Sequence, residues 1–332
     1  MPCQIYDDPD IYVSPGHHHH FISLLPGEED HLQTTVKLPY WVCDAAIEPS
    51  DNGGRLAIVV PASNIVEFTI FFLLILSIFP FVPQLDLLRQ NGGSMGTSLV
   101  YLLCNVLNAT EQFTISFSYL FIAEDSEFFI YSPPNAGDWL NFFQLAVTWS
   151  LSSTLFFFGV ICSPAHNGRK TFILGIYLTF LSISLLAAVA YVLINPCGAS
   201  CGSNGWVTAI FLGSHLIFVN PVVTLLAIAA LPAQLRVLKQ HEHTALSLIG
   251  LASQAVIFTV LGFSWLFRVR LDYNLSDFFR TWGSFTSWYQ LVGWVAVDNL
   301  IFAAVQGILL LVVLRRKKMA ITEGENEPLL GH

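Results

Sequence analysis

Charge is what this chain has least of. Only 11% of its 332 residues are Asp, Glu, Lys or Arg, against about a quarter in an ordinary soluble domain. With 54% apolar residues and a mean hydropathy of +0.61, that scarcity excludes a water-soluble globule and points to lipid. Basic residues are the scarcer sign, 14 Lys and Arg against 23 Asp and Glu, a net charge of −9. No basic stripe exists, which excludes a nucleic-acid surface. The first 62 residues lack a basic-then-apolar leader, so this polar segment reads as retained. Convergent metal-ligand spacing is missing too. The run His17 to His20 is contiguous, whereas a metal site needs ligands spaced to meet at one point. A solvated segment is expected there, and neither a metal nor a cofactor. Cysteine is sparse, six in all. Cys3 with Cys43, and Cys197 with Cys201, are placed to pair in an oxidising lumen, while Cys104 and Cys162 fall in apolar runs and read as packing residues.

What the chain has is long apolar runs. Seven reach the ~20 residues needed to cross a bilayer: about 64–82, 95–123, 139–162, 171–194, 206–231, 245–267 and 288–314. Lipid offers no partner to a bare backbone group, so these predict helices. The turns after the first, third and fifth runs carry Arg89, Arg169 with Lys170, and Arg236 with Lys239, and Arg315 to Lys318 follow the seventh. The loops 124–138 and 195–205 have neither Lys nor Arg. This asymmetry predicts a cytosolic C-terminus and a lumenal N-terminus. Arg268, Arg270 and Arg280 stand on the wrong side of the rule, partly offset by Asp272 and Asp277. Asn274-Leu275-Ser276 is then a lumenal glycosylation sequon, whereas the match at Asn108 lies inside a span.

The chain is organised around an internal repeat. Gln84 to Gln90 matches Gln234 to Gln240, and Ser98 to Asn105 matches Ser247 to Gln254, with equal spacing from Pro83 to Ser98 and from Pro232 to Ser247. Two alignments at nearly one offset predict a tandem duplication. Each copy opens on a helix ending in proline, Pro80 and Pro83 in the first and Pro232 in the second. A proline deprives the carbonyl four residues back of its donor, so Leu76, Phe79 and Ile228 are expected to lose their partners, with Gln84 or Gln234 able to bond a freed carbonyl. The paired prolines predict two hinges, the alternative being static kinks at the helix ends.

The second run stacks Ser98, Tyr101, Asn105, Asn108 and Gln112 on one face, with Glu111 bordering it. The sixth carries Ser247 and Gln254, and the seventh Asp298, Asn299 and Gln306. Polar stripes in a span face the bundle interior or a water path. An acid at mid-bilayer costs at least ~2.5 kcal/mol and marks a site that binds or carries something. Asp298 and Glu111 are therefore candidates to carry a proton, the structural alternative being an interhelical hydrogen bond. No Lys or Arg stands at mid-span to pair with either. His215 and Asn220-Pro221 in the fifth run are weaker candidates, His215 reading first as a packing residue.

Paired hinges, each followed by a short turn and a serine-marked helix start, resemble the PQ-loop repeat family, which includes cystinosin and the yeast-type vacuolar basic amino-acid transporters. Val297-Asp298-Asn299 leading to Gln306 is similar to the last helix of cystinosin. The resemblance runs from about residue 64 to 314. It implies an all-α integral membrane fold of seven transmembrane helices, two parallel three-helix bundles plus a linking helix. The segments become 1–62, a lumenal prelude; 63–163, the first repeat; 164–204, the linker with the fourth helix; 205–314, the second repeat; and 315–332, a cytosolic tail. The second motif departs from the pattern as Pro-Ala-Gln. The resemblance implies a non-enzymatic, proton-coupled exporter of a small metabolite, an amino acid, from a lysosome- or vacuole-like compartment. Pro83, Gln84, Pro232 and Gln234 would form the hinges. Tyr101, Asn105, Asn108, Gln254 and Asn299 would bind substrate, and Asp298 and Glu111 would carry the proton. A sugar facilitator of the SWEET type and a seven-helix or cargo receptor are the alternatives. Glu325, Leu329 and Leu330 resemble an acidic dileucine signal read by a cytosolic sorting adaptor.

Overall fold

The computed structural model describes residues 62–90, 96–123, 130, 134–163, 165–194, 205–240, 246–268 and 282–326. The histidine run, the cysteine pairs 3/43 and 197/201, the sequon at Asn274 and the leucines Leu329 and Leu330 lie outside these residues. All regular structure among them is helical. The helices are α1 (Ala62–Ile78), α2 (Val82–Gln90), α3 (Leu99–Phe121), α4 (Ala136–Cys162), α5 (Asn167–Leu181), α6 (Ala187–Ile194), α7 (Gly205–Ser214), α8 (Asn220–Gln240), α9 (Leu248–Arg268), α10 (Trp282–Trp288) and α11 (Trp294–Asn326). Three π-helical segments, Ser182–Leu186, His215–Val219 and Tyr289–Gly293, join α5 to α6, α7 to α8 and α10 to α11. Each lets a continuous rod absorb one extra residue.

Six stretches among the described residues are long and apolar enough to cross a membrane: Phe68–Arg89, Ala136–Cys162, Asn167–Ile194, Trp206–Gln240, Leu248–Leu266 and Phe285–Met319. This is a multi-pass membrane protein, and its surface is inverted accordingly. Phe68, Ile161 and Phe218 are exposed, while Gln84, Gln112, Gln234, Gln254, Asp298 and Gln306 are buried. The expected second span, α3, is not among the six, because its polar stripe dilutes its hydropathy. It is instead the most enclosed helix. Its Asn108, Thr110, Glu111, Gln112 and Thr114 are all buried, and it packs against α4, α5 and α8.

One packing plan serves both halves. Within each, the first helix lies on the third, α1 on α4 and α8 on α11, and the second on the third, α3 on α4 and α9 on α11. Across the halves, α8 packs on α3, and α1 with α2 on α9. The linking helix leans on α3 and also meets α4, where the Tyr177 hydroxyl lies 3.1 Å from that of Ser153 and its ring meets Phe156 edge-on.

The two proline motifs do not behave alike. The first interrupts the rod at residues 79–81, where Phe81 and Val82 N–H donate to the Ile78 and Phe79 carbonyls at 3.2 and 3.3 Å. Phe79 therefore keeps a partner, contrary to expectation, because the turn tightens by one residue. Pro83 falls in the first turn of α2, where a missing N–H costs nothing. Pro232 lies inside α8, which runs on unbroken to Gln240. The break expected there is absent, though Pro232 still offers no N–H to Ile228. The last helix, α11, continues through the basic cluster and Glu325 to Asn326.

Candidate functional site

The serines of the repeat start matching helices. Ser98 caps α3, its hydroxyl accepting from Tyr101 N–H at 3.4 Å, and Ser247 does the same for Gly250 N–H at 3.1 Å ahead of α9. A cap leaves the serine's own N–H pointing away from the helix, needing an acceptor. Each is supplied by the other half. Gln84 Oε1 accepts from Ser247 N–H at 3.0 Å, and Gln234 Oε1 accepts from Ser98 N–H at 2.8 Å. Gln234 Nε2 also donates to the Gly96 carbonyl at 2.7 Å, at a residue whose φ of 92° suits only glycine without strain. The glutamines thus bind across the halves rather than a freed carbonyl of their own helix. Gln254 Nε2 adds a bond of 3.3 Å to the Pro80 carbonyl. These crossed bonds form a clasp at one end of the helices.

Above the clasp, two small adjoining cavities run between the halves. The first is lined by Gln84, Thr97, Tyr101, Asn105, Ser152 and Gln254 among others. The second is lined by Asn105, Asn108, Gln112, Thr148, Ser152, Asp298 and Asn299, with Phe81 and Phe302 common to both. Their volumes are about 20 and about 30 Å³, room for one or two waters each. All five residues expected to bind substrate, and Asp298, come together here. Tyr101 donates to Gln306 Oε1 at 3.0 Å and accepts from its Nε2 at 2.8 Å. Asn299 donates to the Val295 carbonyl of its own helix at 2.6 Å.

Asp298 joins three helices. Its Oδ1 accepts from Thr224 of α8 at 2.6 Å, and its Oδ2 from Gln112 of α3 at 3.2 Å. Gln112 also donates to Asn108 Oδ1 at 2.8 Å. The Thr224 hydroxyl lies 2.6 Å from that of Tyr289, which accepts from Asn220 Nδ2 at 3.3 Å. The carboxyl is 1% exposed and is tied to both halves.

Glu111 stands apart. It lines neither cavity, and its Oε1 lies 2.7 Å from His215 Nδ1 inside the protein. Its Oε2 has no hydrogen-bond partner among the described residues. The expectation that this acid lacks an internal basic partner is thereby corrected, as is the reading of His215 as a packing residue. His215 and Tyr289 each open a π-helical segment, and the two segments touch. The alignment of the copies passes over Thr224 and Asn220, and reaches Tyr289 only as an echo of Phe143 in Tyr289-Gln290-Leu291 against Phe143-Gln144-Leu145. The only signal available was an Asn-Pro pair and a lone histidine inside an apolar run.

At the far end, Arg268 of α9 reaches α4. Its Nη1 donates to Asn141 Oδ1 at 2.9 Å and to Gln144 Oε1 at 2.6 Å, and its guanidinium lies 4.9 Å over the Trp265 ring. Beside it, Tyr119, Trp265, Trp288 and Trp294 pack into an apolar plug. No family model, curated protein or solved structure matches this chain.

Proposed function

We propose that this chain is a secondary transporter of the PQ-loop type, which exports a small metabolite, an amino acid, together with protons from a lysosome- or vacuole-like compartment. On this reading α3 crosses as a seventh span, shielded from lipid by α4, α5 and α8. The two three-helix bundles, 63–163 and 205–314, rock about the cavities between them. The N-terminus is lumenal, the basic ends of the helices are cytosolic, and Glu325 with the dileucine engages a sorting adaptor. One observation carries the reading, a buried carboxylate held by hydroxyl and amide donors from both bundles on the wall of a polar cavity. An acid in that position is expensive, and its bonds to Thr224 and Gln112 make its protonation state felt by both bundles at once. A sugar facilitator has no use for such a group.

The cavities are several times too small for an amino acid, which fits a closed form. The clasp shuts one end and the aromatic plug the other. Protonation of Asp298 takes away the negative charge that both Thr224 and Gln112 bond to and turns one of its two accepting oxygens into a donor, which loosens α8 from α3 and favours opening. The test is uptake into proteoliposomes of full-length protein, driven by an imposed pH gradient and read with a panel of labelled amino acids and glucose. Asp298→Asn is expected to lower proton-driven amino-acid uptake at least tenfold while the protein is recovered in the membrane at wild-type amounts. Undiminished uptake by this variant, or glucose flux indifferent to pH, would sink the reading.

A further inference from the structure

Arg268 is satisfied on one edge only. Asn141 and Gln144 occupy Nη1, while Nε and Nη2 are closed off from solvent and have no hydrogen-bond partner among the described residues. Gln144 is 2% exposed; its oxygen is spent on Arg268, and its Nε2 is likewise buried without an acceptor among the described residues. Three N–H-bearing nitrogens around one positive charge thus lack an acceptor. Burying donors without acceptors costs about 1–3 kcal/mol each, more where charge is involved. The Nε–Nη2 edge of a guanidinium presents two parallel N–H groups spaced for the two oxygens of one carboxylate. The guanidinium carbon lies over the Trp265 ring and Nη1 is anchored to Asn141 and Gln144, so the free edge is held in place.

The setting faces the interior rather than the lipid. Arg268 ends the buried face of α9 that carries Gln254, Phe258, Leu261 and Trp265, all under 5% exposed. Gln144 begins a stripe on α4 that continues, a turn at a time, through Thr148 and Ser152 into the cavities; Thr148 donates to the Gln144 carbonyl at 2.9 Å. One turn of helix, about 6 Å for four residues, therefore separates the Gln144 position from the cavity that holds Asp298.

We propose that Arg268, with Gln144, is a carboxylate-binding station at the mouth of the passage opposite the clasp, and that the transported solute bears a carboxylate. This rests on the transporter reading above and narrows its substrate. A solute with an anionic and a cationic end meets Arg268 first and Asp298 deeper in, whereas a sugar or a plain amine leaves the fork unfilled.

The experiment measures thermal unfolding of the purified full-length protein with increasing L-amino acids, the amines formed by removing their carboxylates, glucose and inorganic phosphate. At least one amino acid is expected to raise the unfolding temperature where its matched amine and glucose do not. Arg268→Gln should weaken that half-saturating concentration at least tenfold, and Arg268→Lys, which keeps charge but loses the fork, by a smaller factor. The unfolding temperature without ligand reports whether each variant folds; if Arg268→Gln does not fold, Arg268→Lys decides. Equal stabilisation by amines or glucose overturns the proposal, as does an unchanged half-saturating concentration in the variants. So does the absence of any carboxylate effect on the wild type. Stabilisation by phosphate alone would give the fork to a phosphate headgroup, and overturns it too. Loss of binding in the Arg268 variants beside undiminished proton-driven uptake in Asp298→Asn would keep this station and discard the proton mechanism.

Discussion

Gln234 and Ser98 stand 136 residues apart in the chain and are joined by a hydrogen bond of 2.8 Å, side-chain oxygen to backbone N–H. Its counterpart at the matching positions joins Gln84 to Ser247 at 3.0 Å. Each half of the protein completes the first turn of the other's second helix.

Amide hydrogen exchange should expose this crossing directly. Gln234→Leu is expected to speed exchange at Ser98, at the start of α3, and Gln84→Leu at Ser247, before α9. Each loss removes a bond worth about 0.5–1.5 kcal/mol and leaves a buried donor orphaned, so roughly tenfold faster local exchange is expected. Faster exchange confined to the mutated helix would refute the crossed arrangement.

The prolines should separate by their place in the helix. In α8, Pro232→Ala restores a donor to the Ile228 carbonyl within an unbroken helix and removes a residue worth up to about 3 kcal/mol against helix. Pro83→Ala, in the first turn of α2, should change little. The expectation is a raised unfolding temperature and slower uptake for Pro232→Ala only. Equal effects of the two substitutions would mean that both motifs act as the sequence alone suggested.

Glu111 and His215 should behave as a buried couple. Removing one member of such a pair typically costs about 3–5 kcal/mol, because the other is left buried and unmatched. His215→Leu and Glu111→Leu are each expected to destabilise strongly, and the double variant by less than the sum. Chemical denaturation of the four proteins closes the cycle. Additive losses would show that the 2.7 Å contact carries no coupling.

The sequence made the helices, the repeat and most of the cavity wall legible, for physical reasons. Apolar runs of spanning length have one backbone solution in lipid, and the steps of three and four from Ser98 to Gln112 put five polar side chains on one face. What it hid depended on contacts between distant segments. Gln84 read as a partner for its own helix, because nothing local shows that Ser247 needs an acceptor. His215 read as packing because its acid lies 104 residues earlier. The unbroken course of α8 through Pro232 reflects packing on α3 and α11, which overrides a local preference. Arg268 looked like a misplaced loop charge, since Asn141 and Gln144 become its neighbours only once α9 lies near α4.

The polarity of α3 bears on how the protein is made. With Asn105, Asn108, Glu111 and Gln112 along its length, this segment partitions poorly into a bilayer by itself. The helices that cover it, α4, α5 and α8, are all synthesised after it. On the proposed topology the nascent chain must keep α3 at the translocation machinery until α4 emerges, and release the two as a hairpin. Ribosome-bound chains ending just past α3 should stay extractable by alkali, and become resistant once α4 has been added.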